Sequence, residues 1–341
     1  MSRGGRRPGW LGVLNGDPLP WLLDENTPAI RHLALRFLLD EPEDAPAVRR
    51  ARSKAMRTPP ISTILEHQHP EGYWEKPGPG YGRKYRGTVW SLTFLDQMGA
   101  DGSDRRLERA CAYVLAHTQT SSGGFGISGA LSERPPPPSA VYHCLNGNLL
   151  RAMVDFGHLD DQRVRRAIDW QARSITGEGF DGYYRSGTTG PGFGCAVNEA
   201  HPCAWGAIKA LRGLAAIPPR RRAAHVRRAI AAGAEFLLSR DPTLADYPTG
   251  TSVSSSWFKL GFPSGYVADV LQNLETLAEL GRARDHRLRP ALGWLLSQQD
   301  DHGRWANRYP YAGKLWADID RQGAPSKWVT LRALSFIRRA A

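Results

Sequence analysis

The sequence predicts an all-α fold, a closed barrel of six inner helices backed by outer ones. Three observations predict it. First, a turn pattern recurs: Gln, three residues, Gly, one residue, aromatic. It appears as Gln68, Gly72, Trp74, as Gln119, Gly123, Phe125 and as Gln299, Gly303, Trp305. A degraded copy follows Gln171, where Gly179 and Phe180 come later than the spacing allows. Second, strongly amphipathic helix patterns alternate with patterns that are apolar nearly all round, so the second kind must be buried on every side. Third, short links alternate with long ones, and the repeat step is about 50–65 residues, the size of stacked helix-pair units.

In order, residues 1–28 form a Gly- and Pro-rich irregular lead-in, and 29–341 form a single domain. The first inner helix is 29–39: Pro28 suits the opening turn, and Ile30, Leu33, Ala34, Phe37 and Leu38 keep helical spacing. A Pro-broken pair follows at 44–57 and 59–67, then the first Gln-Gly-Trp turn. The outer pattern is clearest at 161–173. Val164, Ala167, Ile168 and Gln171 share one face, and Arg163, Arg165, Arg166 and Asp169 face out. The other outer helices are 103–118, 222–239 and 285–298. The inner pattern is clearest at 141–156, where Leu145, Leu149, Leu150, Met153, Val154 and Phe156 fall on all sides. The remaining inner helices are 87–98, 202–216, 264–280 and 326–338. Links from inner to outer helix are short (156–161, 280–285), whereas those from outer to inner are long (119–140, 174–201, 240–263, 299–325).

The Gln-x-x-x-Gly-x-Trp turns resemble those of the squalene-hopene and terpenoid cyclases and of the protein prenyltransferase β-subunits. The resemblance spans roughly residues 60–338 and implies their shared fold, the (α/α)6 toroid. The stretches 257–263 (WFKLGFP) and 325–334 (PSKWVTLRAL) are similar to stretches in uncharacterised bacterial proteins of that superfamily. The turns are scaffold, so the likeness speaks to fold more than to activity.

Because all inner helices run the same way, their N-termini and the long links gather at one end, and loops on a rigid scaffold commonly carry function. Six positive helix ends there favour an anion. Polar residues sit in or just before the first turns: His143, Cys144, Asn146 and Asn148, then Glu199, His201 and Cys203, then Asp269, then Lys327. Trp90, Tyr142, Trp205, Tyr266 and Trp328 accompany them, and such a mixture suits a small-molecule pocket. Asp269, His143, His201 and Cys203 are the candidate catalytic groups. Trp90, Tyr142, Asn146, Trp205, Tyr266, Trp328, Arg86 and Lys327 are the candidate substrate contacts. Asp269, amid Val267, Ala268, Val270 and Leu271, suits a proton donor with a raised pKa, or else a buried acid satisfied by helix amides or an Arg. Cys144, Cys195 and Cys203, with a histidine, are a possible Zn²⁺ set; the other reading is small buried apolar residues. Cys111, on an outer helix, takes no role. Arg83, Lys84 and Arg86 suit a diphosphate or are a solvated loop. Glu178, Asp181, Tyr183 and Tyr184 line the rim, and prolines 135–138 form a stiff spacer.

The resemblance implies further expectations and departures from them. Prenyltransferases hold zinc with Asp, Cys and His at this mouth, and the spacing here does not reproduce that set. Class II cyclases carry their acid in Asp-x-Asp-Asp, which is absent; Asp318-Ile319-Asp320 is a partial echo in a link and suits turn chemistry.

The totals bound the rest. Net charge is +12, mostly from Arg scattered over outer faces, so it reads equally as attraction to an anion or as compositional drift. Four Cys without framework spacing argue against a disulfide-stapled secreted domain. No signal-like h-region follows the basic start, and no apolar run spans a membrane, so a cytoplasmic location is expected. Walker, HExxH and GxSxG motifs are absent, and basic residues do not interleave with aromatics as in nucleic-acid binders. The expected function is a terpenoid cyclase-like enzyme acting on an isoprenoid or other small apolar substrate. The alternatives are a carbohydrate-active barrel on an acidic polysaccharide and a non-catalytic binding barrel. Oligomeric state is not readable from the chain.

Overall fold

A computed structural model describes residues 9–128, 136–179, 189–250 and 252–341. In chain order the helices are α1 (Leu19–Leu22), α2 (Pro28–Leu38), α3 (Pro46–Ala55), α4 (Ile61–Glu66), α5 (Thr88–Gln97), α6 (Arg105–His117) and α7 (His143–Asp155). They continue with α8 (Gln162–Thr176), α9 (Ala204–Ala215), α10 (Ala224–Leu238), α11 (Val270–Glu279), α12 (Arg289–Ser297) and α13 (Lys327–Ala340). Among the described residues there are only isolated bridges and no extended strands.

The fold is an (α/α)6 toroid. The inner ring is α2, α5, α7, α9, α11 and α13. Contacts run from α5 through α7, α9 and α11 to α13 and on to α2, and a Cβ on Gly99, just past α5, would strike Leu33 of α2. Small residues let inner helices come close: a Cβ on Gly147 would lie 2.3 Å from the Lys209 carbonyl oxygen of α9. The outer layer is α3 with α4, then α6, α8, α10 and α12. Lead-in residues complete it beside α12 and α13. The Asn15 amide donates to Gln299 Oε1 at 2.8 Å, and the Arg304 guanidinium lies 4.3 Å from the Trp21 ring. Three outer helical segments begin alike. Asp104, Asp161 and Asp285 each accept the backbone N–H of an arginine two residues on and hold its guanidinium as well, so one side chain caps the helix and pins the next turn.

The recurring turns tie these layers together by a shared set of bonds. The Gln68 amide donates to the Arg106 carbonyl (2.8 Å), and Gln119 donates to that of Arg163 (2.6 Å), so each glutamine reaches the next outer helix. Gly72 and Gly123 have φ of 103° and 101°, and a Cβ there would strike the carbonyl oxygens of Arg109 and Arg166 at 2.6 and 2.9 Å. Both the conformation and the closeness require glycine. The aromatic then does two jobs. The Trp74 and Trp305 indoles donate to the carbonyls of Ile64 and Leu295 near the ends of α4 and α12. The backbone N–H of Trp74, Phe125 and Trp305 donates to Thr88, Asn146 and Thr330 near the start of the next inner helix. The degraded copy follows another course: Gln171 is buried within α8 and bonds Asn146 and His143, and Phe180 lies outside the described residues.

One element differs from the sequence expectation. The inner helix expected over 264–280 begins only at Val270. Asp269 takes the N-cap position and accepts the Gln272 N–H at 2.6 Å, so 264–268 belong to the preceding link.

Candidate functional site

The two ends of the inner ring are filled differently. At the end where the inner helices start, the long links close over it with aromatic rings. Tyr81 stacks on Trp90 (5.3 Å) and Tyr142 (6.3 Å), and its hydroxyl lies 3.2 Å from Cys144 Sγ. Tyr85 packs on Tyr311 at 4.1 Å, Trp205 meets Tyr266 edge-on, and Lys84 Nζ sits 3.2 Å above the Tyr266 ring.

The nominated residues at this end are engaged in holding it together. Asn146 is fully buried, accepting from Phe125 N and donating to Ala167 and Gln171. The His143 ring lies 3.0 Å from the Gly190 carbonyl and 3.1 Å from Gln171, and burial pushes its pKa down to about 4. His201 is exposed, and its carbonyl accepts from Cys195 N. Arg86 donates to the Leu315 carbonyl and Lys327 pairs with Asp24 (3.0 Å), so both tie distant segments together. Trp90 is fully buried and donates to the Tyr81 carbonyl. Asp269 has both oxygens committed, to the N–H groups of Gln272 and Gly261, with Arg332 3.6 Å away. Burial raises its pKa, against the pull of Arg332. Glu178 pairs with Arg228 on the surface, while Asp181, Tyr183, Tyr184 and Pro135 lie outside the described residues. The Gly313 N–H donates to Asp318, and Asp320 accepts from Ser326 and Asn307, which is turn chemistry.

The zinc expectation is corrected. Among the described residues no group of three or more His, Cys, Asp or Glu is placed to hold a metal. Cys195 and Cys203 lie diagonally across the link that enters α9, while the Cys144 thiol contacts the Tyr81 hydroxyl.

A cavity of about 500 Å³ lies at the opposite end, where the inner helices finish. All six inner helices line it. Six helix C-termini direct carbonyl dipoles here, an environment that favours cations. Arg36, Arg52, Arg151, Arg212, Arg332 and Arg339 occupy it, and five carboxyls accompany them: Glu43, Asp96, Asp155, Glu275 and Glu279. Arg332 makes a forked pair with Glu275, at 3.0 and 2.6 Å. Arg151 bonds Glu279 at 2.5 Å and lies 3.3 Å from Asp155 and 3.5 Å from Asp96. Burial raises the Glu279 carboxyl, and Arg151 with Arg212 more than offsets it, so Glu279 stays below the usual range.

Asp96 behaves in the opposite way. Its side chain is 7% exposed, and burial, the charge of Asp155 and a hydrogen bond with Asp155 together push its pKa well above the ordinary carboxyl value. Crowding of like charge in a buried site favours the neutral form of Asp96. The Phe262 and Trp328 rings stack at 4.3 Å and join Phe156 and Phe336 in the wall. Trp328 is thus the one nominated residue that lines this cavity; the others belong to the closed end or its links.

The sequence reading passed over the acid and arginine groups because it weighed first turns. The signal was present in the last turns. Asp96, Arg151, Asp155, Arg212, Glu275, Glu279 and Arg332 all interrupt helices that are otherwise apolar on every side. A charge in such a helix needs a partner inside the ring.

No family model matches the chain, and no curated protein matches it. Among solved structures, a variant of the type II terpene cyclase MstE from Scytonema, in complex with geranylgeranyl dihydroxybenzoate, is 18% identical. It covers 93% of this chain and 87% of its own, with a TM-score of 0.44. A protein from Actinoplanes is 15% identical over 85% of this chain and 99% of its own (TM-score 0.31). A glycosidase is 12% identical over 87% and 98% (TM-score 0.34). Likeness at this level assigns no residue and no reaction to this chain. No helix among the described residues is long and apolar enough to cross a membrane.

Proposed function

We propose that this chain is a terpenoid cyclase-like enzyme. It takes an isoprenoid or similarly apolar substrate into the cavity at the inner-helix C-termini and starts carbocation chemistry there. One observation carries the reading: Asp96, whose pKa burial and Asp155 raise, lies at the wall of a cavity that also presents the Phe262 and Trp328 stack. A proton passes from the Asp96 carboxyl to an alkene carbon, and the π electrons form the new C–H bond. The cation left behind is attracted to the aromatic faces. Asp155, with 35% of its side chain exposed, returns a proton from solvent to Asp96. Arg151 holds both carboxyls and is itself held by Glu279.

The test is incubation with linear polyprenyl substrates in D₂O. The expected product is cyclised or isomerised and carries one new deuterium. Asp96→Asn is expected to lower kcat by about 10²-fold or more, the usual weight of a general acid. Full activity in Asp96→Asn sinks the assignment.

The six arginines of the cavity favour a second reading, a carbohydrate-active barrel on an acidic polysaccharide. Release of reducing ends from pectate, alginate or hyaluronan, with no polyprenyl conversion, decides for it. A merely binding barrel draws support from a pocket without perturbed titratable groups, and Asp96 is such a group.

A further inference from the structure

Outside the cavity, the link that enters α9 folds back on itself. Thr189 bridges Cys195 and Gly194 bridges Pro202 in antiparallel fashion. Cys195 N donates to the His201 carbonyl at 3.2 Å, and Cys203 N donates to the Phe193 carbonyl at 2.8 Å. Residues 194–195 and 202–203 are therefore antiparallel neighbours, and Cys195 and Cys203 stand diagonally across them. Side chains in that relation reach each other. The nearness of the two thiols shifts both, Cys195 downward and Cys203 upward. The Asn198 N–H donates to the Cys195 carbonyl at 2.9 Å, closing the turn between the two cysteines. The neighbouring Cys203 thiol and the N–H groups of the turn draw the Cys195 thiol below its ordinary range despite its burial. Neither cysteine is sealed in the core, whereas Cys111 is, and burial pushes Cys111 up to about 12. Burial likewise raises Cys144, whose thiol contacts Tyr81.

We propose that Cys195 and Cys203 are a reversible redox pair, in which a hydroperoxide oxidises Cys195 and Cys203 resolves it to a disulfide. In the first step the Cys195 thiolate attacks the terminal oxygen of the hydroperoxide. The O–O bond breaks, the departing alkoxide or hydroxide takes a proton from solvent, and Cys195 becomes a sulfenic acid. In the second step the Cys203 sulfur attacks the Cys195 sulfur. The S–O bond breaks, and hydroxide leaves with the Cys203 proton as water. Two thiols lose two electrons in all, and the hydroperoxide is reduced to an alcohol, or to water, plus water. A small dithiol reverses the change by exchange.

The whole protein, treated with one equivalent of hydrogen peroxide and then digested without reductant, tests this. The expected result is loss of two of the four free thiols, a peptide pair joined through Cys195 and Cys203, and full reversal by dithiothreitol. Cys203→Ser is expected to stop at the sulfenic acid, captured on Cys195 by dimedone. Cys195→Ser is expected to consume peroxide at least about tenfold more slowly, because the stabilised thiolate is gone. Circular dichroism establishes that each variant folds. A cross-link through Cys144, a disulfide between two chains, or wild-type protein that keeps all its thiols overturns the proposal.

Discussion

At the end where the inner helices begin, Tyr81, Trp90 and Tyr142 are packed ring against ring under the links. At the end where they finish, Arg151, Arg212 and Arg332 surround open volume with the acids that balance them. The same six helices make both ends. The difference follows from what each helix end lacks. The starting ends lack acceptors for their first N–H groups, and nearby residues supply them: Asp269 to Gln272, Ser326 to Val329, Cys203 to Gly206. At α9, α11 and α13 those first donors are thereby taken. The finishing ends lack donors, so arginines gather and carboxyls follow, and charged groups cannot pack away as rings can. Helix dipoles favour an anion at the starting end, and there the links set the Tyr81, Trp90 and Tyr142 rings.

The largest test of this contrast is at the closed, scaffolding end. Trp305→Ala is expected to lower stability by about 5 kcal/mol, through the cavity it leaves and the lost bond to Leu295. Chemical denaturation measures it, and a change under about 1 kcal/mol breaks the claim that these turns are structural. Next, Arg332→Met strands Glu275 and Asp269 as buried charges and is expected to cost about 3–5 kcal/mol; replacing Glu275 by Leu in the same chain should recover part of it.

A third test uses pH. Burial and the neighbouring Arg52 hold His32, at the cavity wall, down at about 4, below its unfolded value of 6.5. Between those values the unfolded chain binds the proton and the folded one does not. Stability contributed here is complete above about pH 6.5 and is lost as pH falls towards 4, by up to about 3 kcal/mol. His32→Phe is expected to flatten the thermal-melt profile in that window, and an unchanged profile counts against it. The smallest effect is expected at Asp269→Asn. It loses a charged cap but keeps an acceptor, costing about 1 kcal/mol, with turnover intact. Loss of turnover at an unchanged melting temperature would return the acid role to Asp269.

Much of the scaffold was legible because it repeats. Gln68, Gly72 and Trp74 recur with their spacing intact, and the backbone N–H of the aromatic bonds the next inner helix at every copy. Helices apolar on every side could only be inner. The start of α11 was not legible, because Asp269 reads equally as an interior acid and as a cap, and only the chain's path through 264–268 decides. Trp328 was found through its aromatic ring. Asp96 and Asp155 come from different helices, and they crowd one another only once α5 lies beside α7. No spacing within the chain encodes that.

The ring closes between α2 and α13, the first and last inner helices in sequence. Synthesis runs from N-terminus to C-terminus, so between the completion of α11 at Glu279 and the start of α13 at Lys327 five inner helices have been made without the sixth. Glu275 and Asp269 emerge before Arg332, and until α13 arrives they have no guanidinium from that helix. The wall that Trp328 and Phe336 complete is also missing during that interval. Assembly of the ring and completion of the cavity are therefore one late event in the chain's production.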